Sequence, residues 1–327
     1  MKIRFLENYK LKIFAHNMMA SLSCAVHQKH VIWETKELVA YLHPSPWTPG
    51  ATIVAPKASC GAQSIFQLAE QDFLGLLLGA RAVAALLRER LGVRRCALVH
   101  RPHRDQPAHV RVLPLHGLRP DWRPHLAPEE DFQPHDPGYC SSKSGPRWPD
   151  EELERVRARV RAQLPDPGAP PSYVFLGEPG HDGLFSRIVR GQEQQWRLWE
   201  DRAHVAFLTP FPGSPGRTVV VPRRPLTSDI FSLEEGDYRA LALASRQVAQ
   251  LLQKGLEAWA VALIFEGFEI DYAHAKLIPL LPPPGDQPPI CHPPQFYPVY
   301  PGYVSSSNGP AASPESLAEL HARITQS

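Results

Sequence analysis

The sequence is short of cysteine pairs, of charge of one sign and of long apolar runs, and each shortage removes a class of protein. Five cysteines (Cys24, Cys60, Cys96, Cys140 and Cys291) lie far apart and form no CxxC pair. Neither a zinc ribbon nor a thioredoxin-type redox site is supported, and reduced thiols in an intracellular compartment are the natural reading. Lys and Arg number 35 against 33 Asp and Glu, a net charge of +2. That is too weak a field to draw in nucleic acid or an anionic membrane. The longest apolar stretch, Phe73 to Leu87, is broken by Arg81 and is too short for a bilayer. Lys2, Arg4, Lys10 and Lys12 are not followed by an uninterrupted apolar core and a cleavage site, so no secretory signal is expected. A cytoplasmic location is expected, with a mitochondrial one less favoured. The chain also lacks a Gly-rich phosphate loop, paired carboxylates, Ser-His-Asp spacing and Cys2His2 spacing. No metal and no cofactor is expected.

Proline is in excess, 36 of 327 residues, about twice the usual share. It argues for many fixed turns and against an all-helical bundle. A tandem repeat organises the rest. Phe132-x-Pro-x-x-Pro-Gly-Tyr-x-Ser-Ser-x-x-Gly-Pro146 recurs as Phe296 to Pro310, with nine of fifteen positions identical. Trp33-Glu34 answers Trp199-Glu200, Thr48-Pro49-Gly50 answers Ser214-Pro215-Gly216, and Pro56-Lys57 answers Pro222-Arg223. Ala-His-Val-Arg-Val-Leu-Pro-Leu at 108–115 answers Ala-His-Ala-Lys-Leu-Ile-Pro-Leu at 273–280. Blocks in one order at nearly one offset indicate duplication.

Each copy is expected to be a small α+β unit. In the first, strands run Leu38–Leu42 and Ala51–Ala55 around a Pro-rich turn, and a helix follows over Glu70–Leu91 with Gly92 as its stop. In the second, Ser232-Leu-Glu-Glu235 has the form of a capping box, opening a helix that ends near Lys254 before Gly255. Strands are expected at Cys96–His100 with Ala108–Leu113, and at Ala260–Phe265 with Ala273–Ile278. The order strand–strand–helix–strand–strand implies an antiparallel sheet with the helix on one face. The expected organisation is an N-terminal extension (1–20), a first repeat with a C-terminal arm (21–162), a Pro-rich linker (163–173), and a second repeat with its arm (174–327).

Alternate strand residues share a face. His109 and Arg111 then stand on one side with Pro107, and His274 and Lys276 with Tyr272, while Ala108, Val110 and Val112 (and Ala273, Ala275 and Leu277) pack behind. A neutral imidazole beside a fixed cation suits nucleophilic attack on phosphorus, because the cation disfavours imidazole protonation and holds phosphate oxygens. The alternative for both rings is a half-buried strand histidine bonded to backbone.

The run Trp-Glu, Val-Ala-Tyr/Phe-Leu, Thr/Ser-Pro-Gly, Pro-Lys/Arg, a helix, then Ala-His-x-Arg/Lys resembles the histidine-triad (HIT) family of nucleotide hydrolases and transferases. It covers 21–118 and 174–281. The resemblance implies two HIT-like units with degenerate triads, arranged as an intramolecular pseudo-dimer in a monomeric chain. It places the central, nucleophilic histidine on His109 and His274, the first triad position on Pro107 and Tyr272, and the third on Arg111 and Lys276. The acid that contacts ribose in this family falls on His43 and Thr209. The implied function is a HIT-like hydrolase or nucleotidyl transferase. It would act on a nucleoside phosphoramidate or dinucleoside polyphosphate through a nucleotidyl-histidine, with a purine nucleotide or nucleotide-derived small molecule as partner. The alternative is a catalytically silent nucleotide-binding or scaffolding protein. A sugar-phosphate nucleotidylyltransferase is disfavoured by the missing His-Pro-His. Copy two is the expected better site, because Tyr272 keeps a polar group. Accessory candidates are Asp271, His100 and His103 near the site strands, and Tyr139, Ser141, Tyr303 and Ser305 in the arms. For these, turn and solvated-loop roles are the alternatives.

Overall fold

A computed structural model describes residues 30–58, 61–119, 127, 129–285 and 293–326. Ten strands form one antiparallel sheet: β1 (Val31–Glu34), β2 (Leu38–Leu42), β3 (Thr52–Pro56), β4 (Arg95–His100), β5 (Val110–Leu115), β6 (Trp196–Glu200), β7 (His204–Leu208), β8 (Thr218–Pro222), β9 (Ala260–Phe265) and β10 (Ala275–Leu280). Their spatial order is β1-β2-β3-β5-β4-β9-β10-β8-β7-β6. The two copies therefore meet where β4 pairs with β9. There Leu98 faces Phe265, Val99 faces Ile264 and His100 faces Leu263, a self-complementary register of the kind a twofold dimer makes between subunits. The chain is an α+β intramolecular pseudo-dimer, as the repeat implied.

The helices are α1 (Glu70–Leu91), α2 (Asp150–Arg161), α3 (Leu184–Val189), α4 (Glu235–Leu256) and α5 (Pro314–Thr325). The apolar rows Ala108, Val110, Val112 and Ala273, Ala275, Leu277 lie in the core shared with α1 and α4, as alternation predicts. Gly92 ends α1 in the left-handed region (φ 68°). The second copy differs at both helix ends. Gly255 lies inside α4, and the left-handed residue is Glu257 (φ 55°). A Cβ on Gly255 would stand 2.8 Å from Val160 Cα, so the glycine admits the backbone of α2 rather than stopping the helix. The expected capping box is not formed either. Ser232 closes a short 3-10 turn, its hydroxyl donates to Asp229 (2.7 Å), and α4 opens without a side-chain cap. The capping box occurs instead in copy one, between Ser64 and Gln67.

The C-terminal arms are exchanged. The first arm follows β5, and its helix α2 packs on α4 and β6 of the other half; α5 packs on α1 and β1. Trp148 N–H donates to Pro210 O and Ala312 N–H to Pro44 O (2.9 Å each), an equivalent pair. Between the halves the two arms cross. Ser142 N–H donates to Val304 O and Ser306 N–H to Cys140 O. Cys140 N–H reaches Ser306 Oγ, and Val304 N–H reaches Ser142 Oγ. Four reciprocal bonds, all between 2.9 and 3.0 Å, make this crossing a second symmetric interface. Among the described residues no helix is long and apolar enough to cross a membrane.

Candidate functional site

On the face opposite the long helices, one row of paired residues crosses all ten strands: Val31, Tyr41, Ile53, Arg111, Val99, Ile264, Lys276, Val219, Phe207 and Arg197. Arg111 and Lys276 are three strand spacings apart, about 14 Å, with the pseudo-twofold between them. His109 and His274 each stand one residue before their strand, on the same side as their cation. In both copies the ring Nδ1 lies on the carbonyl two residues back: His109 on Pro107 O (2.9 Å) and His274 on Tyr272 O (2.7 Å). A carbonyl can only accept, so Nδ1 carries the hydrogen and Nε2 is the basic nitrogen. The pattern that sequence alternation predicted is present twice.

The surroundings of the two copies are opposite. His274 is 2% exposed, with its ring edge-on to Phe185 of α3 at 5.4 Å. Burial, then the Lys276 charge, pushes its pKa down from 6.5 to about 4. Phe185, Ile188 and Val189 of α3 pack with Phe207, Val219, Val221 and Tyr272 into an apolar cluster over this face. Buried arginines anchor that covering segment. Arg197 donates to Ile188 O (2.9 Å) and Val189 O (2.6 Å), and Arg223 to Ser172 O (2.9 Å) and Val174 O (3.0 Å), with Glu200 between the two guanidinium groups. Lys276 is buried too. Its ammonium lies 3.2 Å from Glu269 and 3.5 Å from Glu266, and donates to Ser142 O of the first arm (3.4 Å). The buried Arg217, which donates to Ser141 O (2.8 Å) of the same arm, also lies in the field of these two carboxylates.

In the first copy His109 and Arg111 are half-buried. The Arg111 guanidinium donates to Ser306 O (2.8 Å) and Asn308 Oδ1 (3.0 Å) of the second arm. Burial lowers its pKa to about 10, so it stays charged at neutral pH. Where the second copy has Glu266 and Tyr300, joined by a 2.6 Å hydrogen bond, the first has Arg101 and Asp136, joined bidentately at 2.9 Å. Glu269 is answered by Arg104. Arg101 is paired with Asp136 and Arg104 lies over the Trp259 ring (5.1 Å), so the positive charge beside His109 is that of Arg111.

Several sequence expectations are corrected by these contacts. Tyr272 is buried and donates to Pro222 O (2.9 Å), which uses up the polar group that favoured copy two. His100 is the last residue of β4, where the expected strand ends, and is not a solvated-loop residue. It is 1% exposed, its Nδ1 lies 2.8 Å from His109 O, and its Nε2 takes the N–H of Ile65 (3.3 Å). It braces the His109 backbone. His103 is an exposed loop residue, and Asp271 is a turn acid accepting from Ser228 Oγ (2.7 Å). Tyr139 and Ser141 both donate to Asp131 (2.9 and 2.7 Å). Tyr303 bonds Tyr297 (2.7 Å), and Ser305 donates to Cys140 O (3.2 Å). All four hydroxyls serve arm structure; the arm atoms that meet Lys276 and Arg111 are the carbonyls of Ser142 and Ser306 and the side-chain oxygen of Asn308. His43 and Thr209 play one role in both copies, each side chain accepting the N–H two residues on (3.0 and 3.2 Å). Sequence reasoning missed Glu269, α3, and the outer strands β1 and β6. Among the described residues no group of three or more His, Cys, Asp or Glu could hold a metal ion. Five cavities among the described residues are lined by other side chains than His109, Arg111, His274 and Lys276.

The chain is 30% identical over 74 residues to an uncharacterized HIT-like protein of Mycoplasma genitalium, 23% of this chain and 52% of that protein. It is 27% identical over 101 residues to an uncharacterized HIT-like protein of Saccharolobus solfataricus, 29% of this chain and 72% of that one. The chain thus spans about half the length of the first relative. Among solved structures, a uridylyltransferase aligns over 89% of this chain and 86% of its own, at 12% identity and a TM-score of 0.47. No known protein-family profile matches. Over these stretches the chain is similar to HIT-like proteins.

Proposed function

We propose that this protein is a HIT-like nucleotide hydrolase or nucleotidyl transferase with one working site, in its first half. The observation that carries the reading is the contrast between the two histidines: His109 is half-buried beside Arg111, whereas His274 is buried against Phe185 and its neighbour Lys276 is held by two carboxylates. A phosphate anion meets a cation held by neutral acceptors at the first and one already engaged by carboxylates at the second. There His109 Nε2 attacks the nucleoside-bearing phosphorus, and the bond to the leaving group breaks with its electron pair on that group. Water then attacks the nucleotidyl-histidine, the P–N bond breaks, the imidazole is restored and a proton passes to solvent. Pro107 cannot donate a hydrogen bond, so a group that departs as a stable anion suits the site better than an amine. Among the implied substrates this favours a dinucleoside polyphosphate over a phosphoramidate.

The experiment is turnover of diadenosine tetraphosphate and of adenosine phosphoramidate by wild type, His109→Ala and His274→Ala. Loss of about a hundredfold or more in His109→Ala, with His274→Ala within about threefold of wild type, is expected. The reverse pattern would overturn the assignment. A second reading, a silent nucleotide-binding protein, is favoured by the bonds Arg111 already makes to Ser306 and Asn308. Saturable nucleotide binding without turnover would establish it.

A further inference from the structure

The duplication supplies an internal control for equivalent positions, and one of the differences between the copies leaves a cavity. Where the second copy's Pro-rich turn meets the first arm, the Trp148 indole lies against Phe132, ring centroids 5.6 Å apart, and packs on the core. The equivalent residues where the first copy's turn meets the second arm are Ala312 and Phe296. The backbone frame is the same in both. Gly145 N–H donates to Phe211 O (3.2 Å) and Gly309 N–H to Ser45 O (3.0 Å), beside the matching Trp148 and Ala312 bonds. Gly50 abuts Leu91 and Pro114 as Gly216 abuts Leu256 and Pro279. With the frame held and the indole missing, a cavity of about 400 Å³ remains, walled by Leu42, Phe296, Pro310, Ala312, Leu317 and Leu320. Phe296 is left 44% exposed.

We infer that this cavity is a binding site for a small, neutral, flat bicyclic aromatic molecule. Its shape is that of a frame which elsewhere in the same chain encloses an indole, and its volume is within the range of small-molecule sites. The walls are predominantly apolar, so binding is driven by desolvation of the ring faces, with Phe296 available for stacking. No lining residue is shared with the His109–Arg111 corner, so the site does not depend on the reading of that corner.

Titration of the full chain with 2-naphthol and indole, followed by calorimetry and ligand-observed NMR, tests this. Wild type should bind one equivalent saturably and gain thermal stability with ligand. Ala312→Trp should bind about tenfold more weakly or not at all, and melt no lower than wild type without ligand. Trp148→Ala should open the twin cavity and bind a second equivalent. Phe296→Ser, at an exposed position, should weaken binding while the chain stays folded, and decides the matter if Ala312→Trp does not fold. Absence of saturable wild-type binding, or undiminished affinity in folded Ala312→Trp or Phe296→Ser, overturns the proposal. Capture of a tryptophan peptide by a chain that ignores both free aromatics also overturns it, in favour of a protein side chain as occupant.

Discussion

One buried histidine in each half contributes to the acid sensitivity of the fold. His274 titrates near 4 and His100 near 3, both lowered from 6.5 chiefly by burial. The unfolded chain takes up protons on these rings as pH falls through about 6.5, while the folded chain refuses them until about 4 and 3. Their contribution is therefore present above the unfolded value, declines as pH falls, and levels off below the folded values. Denaturant midpoints should fall over that window. Phe265 occupies in β9 the place of His100 in β4, so His100→Phe should remove part of the slope, read as midpoint against pH. A slope unchanged in that variant would show that His100 does not contribute. The candidate histidines and cations were legible here, because a two-residue period fixes which side chains share a face. Their electrostatic fate was not. Glu269 and Glu266 come from the loop before β10, and only the folded loop brings them onto Lys276.

Among the elements, α1 and α4 followed from apolar spacing, and α1 kept the bounds its sequence suggests. The ends of α4 did not, because Gly255 answers to a neighbour 95 residues earlier. Gly255→Ala would drive a methyl into Val160 and Arg159 backbone and should destabilise by roughly 1–3 kcal/mol, seen as a lower melting temperature with unchanged helix content. The arm crossing makes a parallel prediction. Ser142→Ala strands the buried Val304 N–H and should cost about 1–3 kcal/mol in a urea titration. The arms were recognisable as repeated Pro-Gly-Tyr-x-Ser-Ser segments, and in the fold these segments pair with each other. Which half each arm serves is decided by tertiary contact, since α2 and α5 pack on the copies that did not produce them.

For the whole molecule, β4–β9 pairing, arm exchange and the α1–α4 contact join the halves at three places. Cleavage within 165–171 should leave both fragments associated, eluting at the mass of the intact 36.5 kDa chain until denaturant is added. Fragments that separate in native buffer would contradict an interface of this extent. The tandem order, the α+β class, the site strands and the doubled histidine–cation pattern were all in the amino-acid sequence, because each depends on residues near one another in the chain or on one repeat offset. The closing of the second corner beneath α3, the engagement of Lys276 by two carboxylates, and the cavity left where an alanine replaces a tryptophan were decided by the tertiary structure. Each depends on groups from distant segments meeting, and burial and the sign of the local field are properties of that meeting.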